Sequence, residues 1–132
     1  MTGPKITWLG HAGFRIEVEH NETPYVIYID IWLENSKYPE EWKLKGTPTD
    51  ADLILVTHGH MDHSMAAPVL LAASTKSHCA IVSISEIGLF YQNVHKVDPS
   101  KTLVMNKSGT RDFCWCKVTM VNADHSSSCG MH

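Results

Sequence analysis

The chain has 132 residues, 43% of them hydrophobic and 19% charged, with 11 basic against 14 acidic side chains for a formal charge of −3. That is one domain's worth of polypeptide, too apolar for a disordered chain and too acidic to draw nucleic acid by its overall field. No apolar run approaches the roughly 20 residues of a membrane span, and the first nine residues carry no long apolar stretch for a secretory signal. A soluble, cytoplasmic protein is expected, with no integral membrane segment and no nucleic-acid partner.

Lys5 to Leu9 reads as a first strand, broken by Gly10-His11-Ala12-Gly13. Phe14, Ile16 and Val18 then alternate with Arg15, Glu17 and Glu19 as a second strand. His20 to Pro24 carries turn chemistry, and Tyr25 to Ile29 is a β-branched and aromatic third strand ending at Asp30. Residues 31–49 lack a period and read as a long surface loop or lid. Its aromatics Trp32, Tyr38 and Trp42 either line a substrate mouth or anchor the loop.

Asp52 to Thr57 predicts a buried strand that runs into His58-Gly59-His60-Met61-Asp62-His63. Ser64 then reads as the N-cap of a helix through Ala72, with Pro68 in its first turn. A strand over Cys79–Ser83, a helix over Ser85–His95, a strand over Thr102–Met105, a turn at Asn106–Gly109 and a long strand over Phe113–Val121 follow. A meander followed by alternating strands and helices predicts one α/β domain, a mixed sheet with helices on one face.

Four cysteines, Cys79, Cys114, Cys116 and Cys129, show no spaced disulfide framework and read as free thiols. Cys114 and Cys116, as alternate residues of one strand, either chelate a soft metal or sit in the core. Cys129 follows His125 closely enough to lie near whatever His125 serves.

Function is sought in the histidines, of which there are nine, three of them within the six residues 58–63. Neutral imidazole and carboxylate are the ligands of catalytic zinc sites, which keep one coordination position open. In an extended or tightly turning segment His58 and His60 share a face and can chelate one ion. Asp62 and His63, starting the next helix, diverge from that pair and can hold a second ion. Gly59 lets the backbone turn tightly. The position, at the C-terminal end of a strand, is where open α/β sheets bind ligands.

Thr57-His58-Gly59-His60-Met61-Asp62-His63 resembles the His-x-His-x-Asp-His signature of the metallo-β-lactamase superfamily. The stretches Ile6 to Glu17 and Ala123-Asp124-His125-Ser126-Ser127 are similar to the branch holding ascorbate-phosphate lactonases, N-acyl-phosphatidylethanolamine phospholipase D and many metal-dependent hydrolases. The resemblance implies that His58, His60 and His125 bind a first metal, although His125 read alone is a surface histidine. It implies that Asp62 and His63 serve a second metal, that Asp62 also orients the nucleophile, and that Asp30 supports the metal loop without ligating. His11, in its tight turn, is implied near the metal edge, as a turn-stabilising residue or a substrate contact. The cofactor implied is zinc, one or two ions, with manganese, iron and nickel also compatible with these ligands.

The superfamily fold has two αβ halves whose sheets pack face to face in an αββα sandwich, and this sequence resembles the first half only. The second half would add an Asp bridging the metals and a further His; His132 is too near His125 to be that ligand, and the chain reaches Cys129-Gly130-Met131-His132 without a closing element. A lone half is expected to expose the inner face of its sheet. The reading is therefore a truncated metal-dependent hydrolase of a small-molecule ester, lactone, phosphodiester or amide, weakly active or inactive as this chain, with a homodimer or a partner covering the sheet. The alternative is a non-catalytic metal-binding or interaction module that uses the same exposed sheet.

Overall fold

The computed structural model describes residues 3–129. Six strands form one mixed sheet in the order β1 (Lys5–Trp8), β2 (Phe14–His20), β3 (Thr23–Ile29), β4 (Leu53–Leu55), β5 (Ala80–Ile84) and β6 (Thr102–Met105). The first three are antiparallel neighbours, and β3 through β6 run parallel. The expected meander and the expected crossovers thus share one sheet. The C-terminal ends of β3, β4 and β5 point to the same edge, where the chain delivers Asp30 and the His58 turn.

Helices cover one face. Val26, Tyr28, Ile54 and Ile81 of the sheet bury against Ala67 and Leu70 of α3 (Ala67–Ala73) and Ile87 and Tyr91 of α4 (Ser85–Asn93). The fold is the α/β half expected from the sequence. Tyr91 also donates its hydroxyl hydrogen bond to the Ser64 carbonyl at 2.7 Å, pinning α4 beneath the histidine turn.

Four local expectations are corrected. The 31–49 segment contains a helix, α1 (Glu40–Lys45), with Glu40 and Glu41 in its first turn, Lys43 and Lys45 in its last, and Gly46 closing it at φ 77°. Those charges complement the helix dipole, and glycine suits the left-handed closing residue. Leu44 is 88% exposed and no apolar stripe forms, so periodicity gives α1 no signal. The turn before β3 is tighter than Asn-containing chemistry alone suggested: Asn21 and Glu22 both take positive φ, and Thr23 and Pro24 pair with His20 and Glu19.

Ser64 does not cap a helix. A short helix, α2 (Met61–Ser64), begins directly after His60, and the Ser64 hydroxyl instead donates back to the Gly59 carbonyl at 3.1 Å. Pro68 falls in the first turn of α3, where its missing N–H costs nothing. The strand expected over Phe113–Val121 is a hairpin, β7 (Thr110–Asp112) with β8 (Lys117–Thr119), outside the main sheet. Asp112 accepts from the Cys114 amide at 2.8 Å and Cys114 turns to φ 69°, which ends the strand there.

That hairpin changes what the other face of the sheet looks like. Phe113, Trp115, Val118 and Met120 pack on Ile27, Leu53, Val82 and Met105, and Trp115 stacks on Tyr25 at 4.3 Å. The inner face is therefore covered over β3 to β6, not bare as expected. What stays open is its β1–β2 end: Ile6, Trp8 and Phe14, which the pairing register places on that face, are 62%, 54% and 37% exposed. Residues 130–132, including His132, lie outside the described residues.

Candidate metal centre

The parallel strands end in a row of polar groups. Asp30 follows β3 with φ 43°, and its carboxylate is nearly fully buried. Buried carboxylates need partners, and Asp30 has three: the Thr57 amide at 2.9 Å, the Thr57 hydroxyl at 2.5 Å and His63 Nδ1 at 2.8 Å. With its proton donated to Asp30, the Thr57 hydroxyl accepts from His58 Nδ1 at 3.0 Å. One carboxylate thereby fixes two imidazoles, and both keep the lone pair on Nε2. The resemblance implied Asp30 as a support of the metal loop, and its carboxylate lies against Thr57 and His63.

His58 Nε2 lies 3.1 Å from His60 Nδ1, and the His58, His60 and His125 rings sit 4.6 to 5.0 Å apart, centre to centre. Their nitrogens all fall within 4.8 Å of one another. His60 Nε2 faces the Ser126 hydroxyl at 3.3 Å, so when it donates there, Nδ1 also presents a lone pair toward His58. Two nitrogen lone pairs at that separation repel unless a cation lies between them, and tetrahedral zinc with Zn–N near 2.0–2.1 Å separates its ligands by about 3.3 Å. The donor set fits a divalent cation. Burial pushes the His58 imidazole down, and the neighbouring His63 reinforces the shift against the opposing charge of Asp30. That favours the neutral, ligating form.

The loop carrying His125 is attached by small residues. The Gly59 amide donates to the Ser127 hydroxyl at 2.9 Å, and a Cβ at Gly59 would lie 2.6 Å from Cys129 Sγ and 2.9 Å from the Ser128 carbonyl oxygen. Glycine is required for the loop to close over the turn. Cys129 does lie beside the site, and burial pushes its thiol up.

Asp62 and His63 project from α2 to form a second group with His11, again with ligand atoms within 4.8 Å. His11 Nε2 and Asp62 Oδ2 are 2.8 Å apart, and His63 Nε2 is 3.5 Å from the same oxygen. Burial would raise the Asp62 carboxyl, but the hydrogen bond with His11 and its own backbone amide outweigh burial and hold it low. His58, Asp30 and His63 form a third such group, joining the two.

Trp32 meets the His11 ring edge-on at 5.5 Å and borders the site, whereas Tyr38 and Trp42 pack into the helix-side core as anchors. Among the described residues no metal-competent group includes a cysteine. Cys116 is half-buried with its thiol pushed up to about 11 by burial and the nearby Asp112 charge, and Cys114 lies exposed at the hairpin turn. Sequence reasoning missed Thr57, Ser126 and Ser127 as site residues, although all three stand inside the motif stretches. Beside the histidines opens a cavity of about 430 Å³ lined by His58, His125, Lys107 and Met120, and an apolar one of about 270 Å³ shares its Thr57 and Met120 walls.

Residues 5–132 match the beta-lactamase superfamily domain. The chain is 40% identical over 125 residues to a UPF0173 metal-dependent hydrolase of Paracoccus denitrificans and 41% identical over 125 residues to one of Cereibacter sphaeroides, covering 94% of this chain in each case. It spans half the length of these relatives, 50% of each. Among solved structures it is similar to Igni18, described as a novel metallo hydrolase from Ignicoccus hospitalis, with a TM-score of 0.69 at 24% identity, over 94% of this chain and 50% of that one. The whole-length domain match and a His58-to-His63 turn seated at the end of a parallel strand agree: this chain belongs to the beta-lactamase superfamily.

Proposed function

We propose that this chain is the first half of a metal-dependent hydrolase acting on a small molecule with an ester, lactone, phosphodiester or amide bond. The observation that carries the reading is the convergence of His58, His60 and His125, three imidazoles whose nitrogens lie within 4.8 Å of one another. His58, His60 and His125 would hold one cation, and Asp62 and His63 would belong to a second. When bound, such ions supply Lewis acidity and lower the pKa of water toward neutrality, the chemistry that zinc's nitrogen and oxygen donors suit best. The names of the relatives and the donor set support a metal; zinc is our choice among zinc, manganese, iron and nickel.

The chain's own residues have separable tasks. Asp30 and Thr57 orient His58 and His63 through their Nδ1 atoms, leaving Nε2 toward the centre. Asp62, held low and therefore ionised, is the carboxylate that would accept a hydrogen bond from the attacking nucleophile and orient it. Lys107 gives the adjoining cavity a cationic wall. As this chain alone, turnover is weak or absent, since the chain spans half the length of relatives named as hydrolases.

Asp62→Asn separates chemistry from folding. In any preparation with measurable hydrolysis, including the chain joined to a complementary half, it lowers kcat at least 100-fold while the thermal midpoint moves by less than about 5 °C, the scale of a one-kcal/mol change. Full turnover in Asp62→Asn contradicts the assigned role.

A second reading is favoured by the open stripe of Ile6, Trp8 and Phe14. There the chain works as a metal-bearing interaction module, covered by a second copy or by a partner. A cytoplasmic setting accords with free cysteines and with the finding that no described helix is long and apolar enough to cross a membrane.

A further inference from the structure

His11 occupies a left-handed position in the turn between β1 and β2. The turn Gly10–Gly13 closes through Leu9 N–H to Gly13 O at 2.8 Å and Gly13 N–H to Gly10 O at 2.9 Å, and it forces His11 to φ 51°. Histidine is among the non-glycine residues that enter that left-handed region, so the turn tolerates it, and the case for a role rests on where the ring goes.

The turn aims the ring. Trp8 Nε1 donates to the His11 carbonyl at 2.9 Å, Trp32 meets the ring edge-on, and the His63 ring lies 5.3 Å away at 62°. Across 51 residues of sequence, Nε2 arrives 2.8 Å from Asp62 Oδ2. The Asp62 oxygen thus has one imidazole nitrogen at 2.8 Å and another, His63 Nε2, at 3.5 Å. Those spacings fall within the edges of octahedral to tetrahedral coordination polyhedra with metal–ligand bonds near 2.0–2.2 Å, about 2.8–3.6 Å. His63 Nδ1 is committed to Asp30, so its Nε2 can serve only the centre.

We propose that His11 Nε2 is a direct ligand of the second cation, completing with Asp62 and His63 a three-donor site within this chain. The inference rests on the metal-centre reading of the same edge and goes beyond it. A chain spanning half of its relatives' length then holds two cations, three protein donors each, without ligands from elsewhere.

The test is cadmium-113 binding to the full 132-residue chain labelled with nitrogen-15 in histidine, read by long-range proton–nitrogen NMR. Only direct coordination splits an imidazole nitrogen by one-bond coupling to cadmium. The expected result is two cadmium ions per chain and a split Nε2 resonance that disappears in His11→Asn. That variant suits φ 51°, and its metal-free thermal midpoint is measured alongside. Its second cadmium binds more than about 100-fold more weakly, beyond the roughly 10- to 100-fold that loss of an outer hydrogen-bond partner costs, while the first is unchanged. An unsplit His11 resonance, a single cadmium on the wild-type chain, or unaltered binding in His11→Asn overturns the inference and leaves the first centre standing. No cadmium at all overturns the metal-centre reading and this inference with it.

Discussion

Two buried aspartates flank β4, Asp52 just before its first residue and Asp30 beside its last, and they do opposite work. Asp52, ahead of Leu53, accepts from the Val26 amide at 2.6 Å, Lys76 Nζ at 2.5 Å and His78 Nε2 at 2.6 Å. Asp30, whose amide donates to the Leu55 carbonyl at 3.1 Å, accepts from Thr57 twice and from His63. Both carboxylates are saturated and both are within a few per cent of full burial. The difference lies one bond further out. The partners of Asp52 end in a backbone strand, a lysine and a solvent-exposed histidine, whereas Asp30 holds His63 directly and His58 through Thr57, two imidazoles whose other nitrogens converge. A buried acid is thus no mark of a site in itself; what marks one is unspent donor capacity on the residues it orients. The cavity of about 430 Å³ beside Asp52, lined by Tyr25, His78, Arg111 and Trp115, gathers no metal-competent group among the described residues.

The sharpest way to break this comparison is to remove each acid. Asp30→Ala removes the Nδ1 partner of His63 and the acceptor that holds the Thr57 hydroxyl against His58, and affinity for zinc falls about 10- to 100-fold, as loss of a metal-orienting hydrogen bond does; calorimetric titration reads it. Asp52→Ala leaves zinc affinity unchanged but orphans the Val26 amide, costing about 1–3 kcal/mol of stability by urea denaturation. If Asp52→Ala weakened zinc as much as Asp30→Ala, the two ends would not differ in kind.

The smallest effect sharpens the structural end. Asp50, beside Asp52, is raised by burial but lowered more by its hydrogen bonds from Arg15 and Tyr28 and by the guanidinium charge, so its folded carboxyl is held below the ordinary value. A depressed carboxyl contributes stability that is complete above its unfolded pKa near 3.9 and is lost as pH falls through the folded value. Asp50→Asn is therefore less stable than wild type at pH 7, and the gap closes below about pH 4. Urea midpoints at the two pH values read the difference, which shrinks at high salt because the pair is half-exposed.

How far the sequence reveals this molecule follows from where the information lies. The candidate ligands His58, His60, Asp62 and His63 are legible because a buried apolar strand runs straight into them, and Asp30 because it ends another. Asp62's link to His11 is not, since a contact across 51 residues leaves no local pattern. Helix α1 is hidden because, of its six residues, Trp42 alone packs against the core while Leu44 lies in water, so charge placement carries it in place of periodicity. The β7–β8 hairpin is hidden for the opposite reason. Its apolar residues alternate as a strand does, and only the Asp112–Cys114 turn folds them onto the sheet face.

The measurement closest to the central claim is zinc stoichiometry by native mass spectrometry, comparing the wild-type chain with His58→Ala/His60→Ala and with Asp52→Ala. The account predicts zinc on the wild type and on Asp52→Ala, and loss of the first ion from the double-histidine variant. With it goes the first ion's share of the thermal stabilisation by excess zinc, about 2.7 kcal/mol at one hundred times its Kd. Equal zinc uptake by the double-histidine variant and the wild type would contradict it.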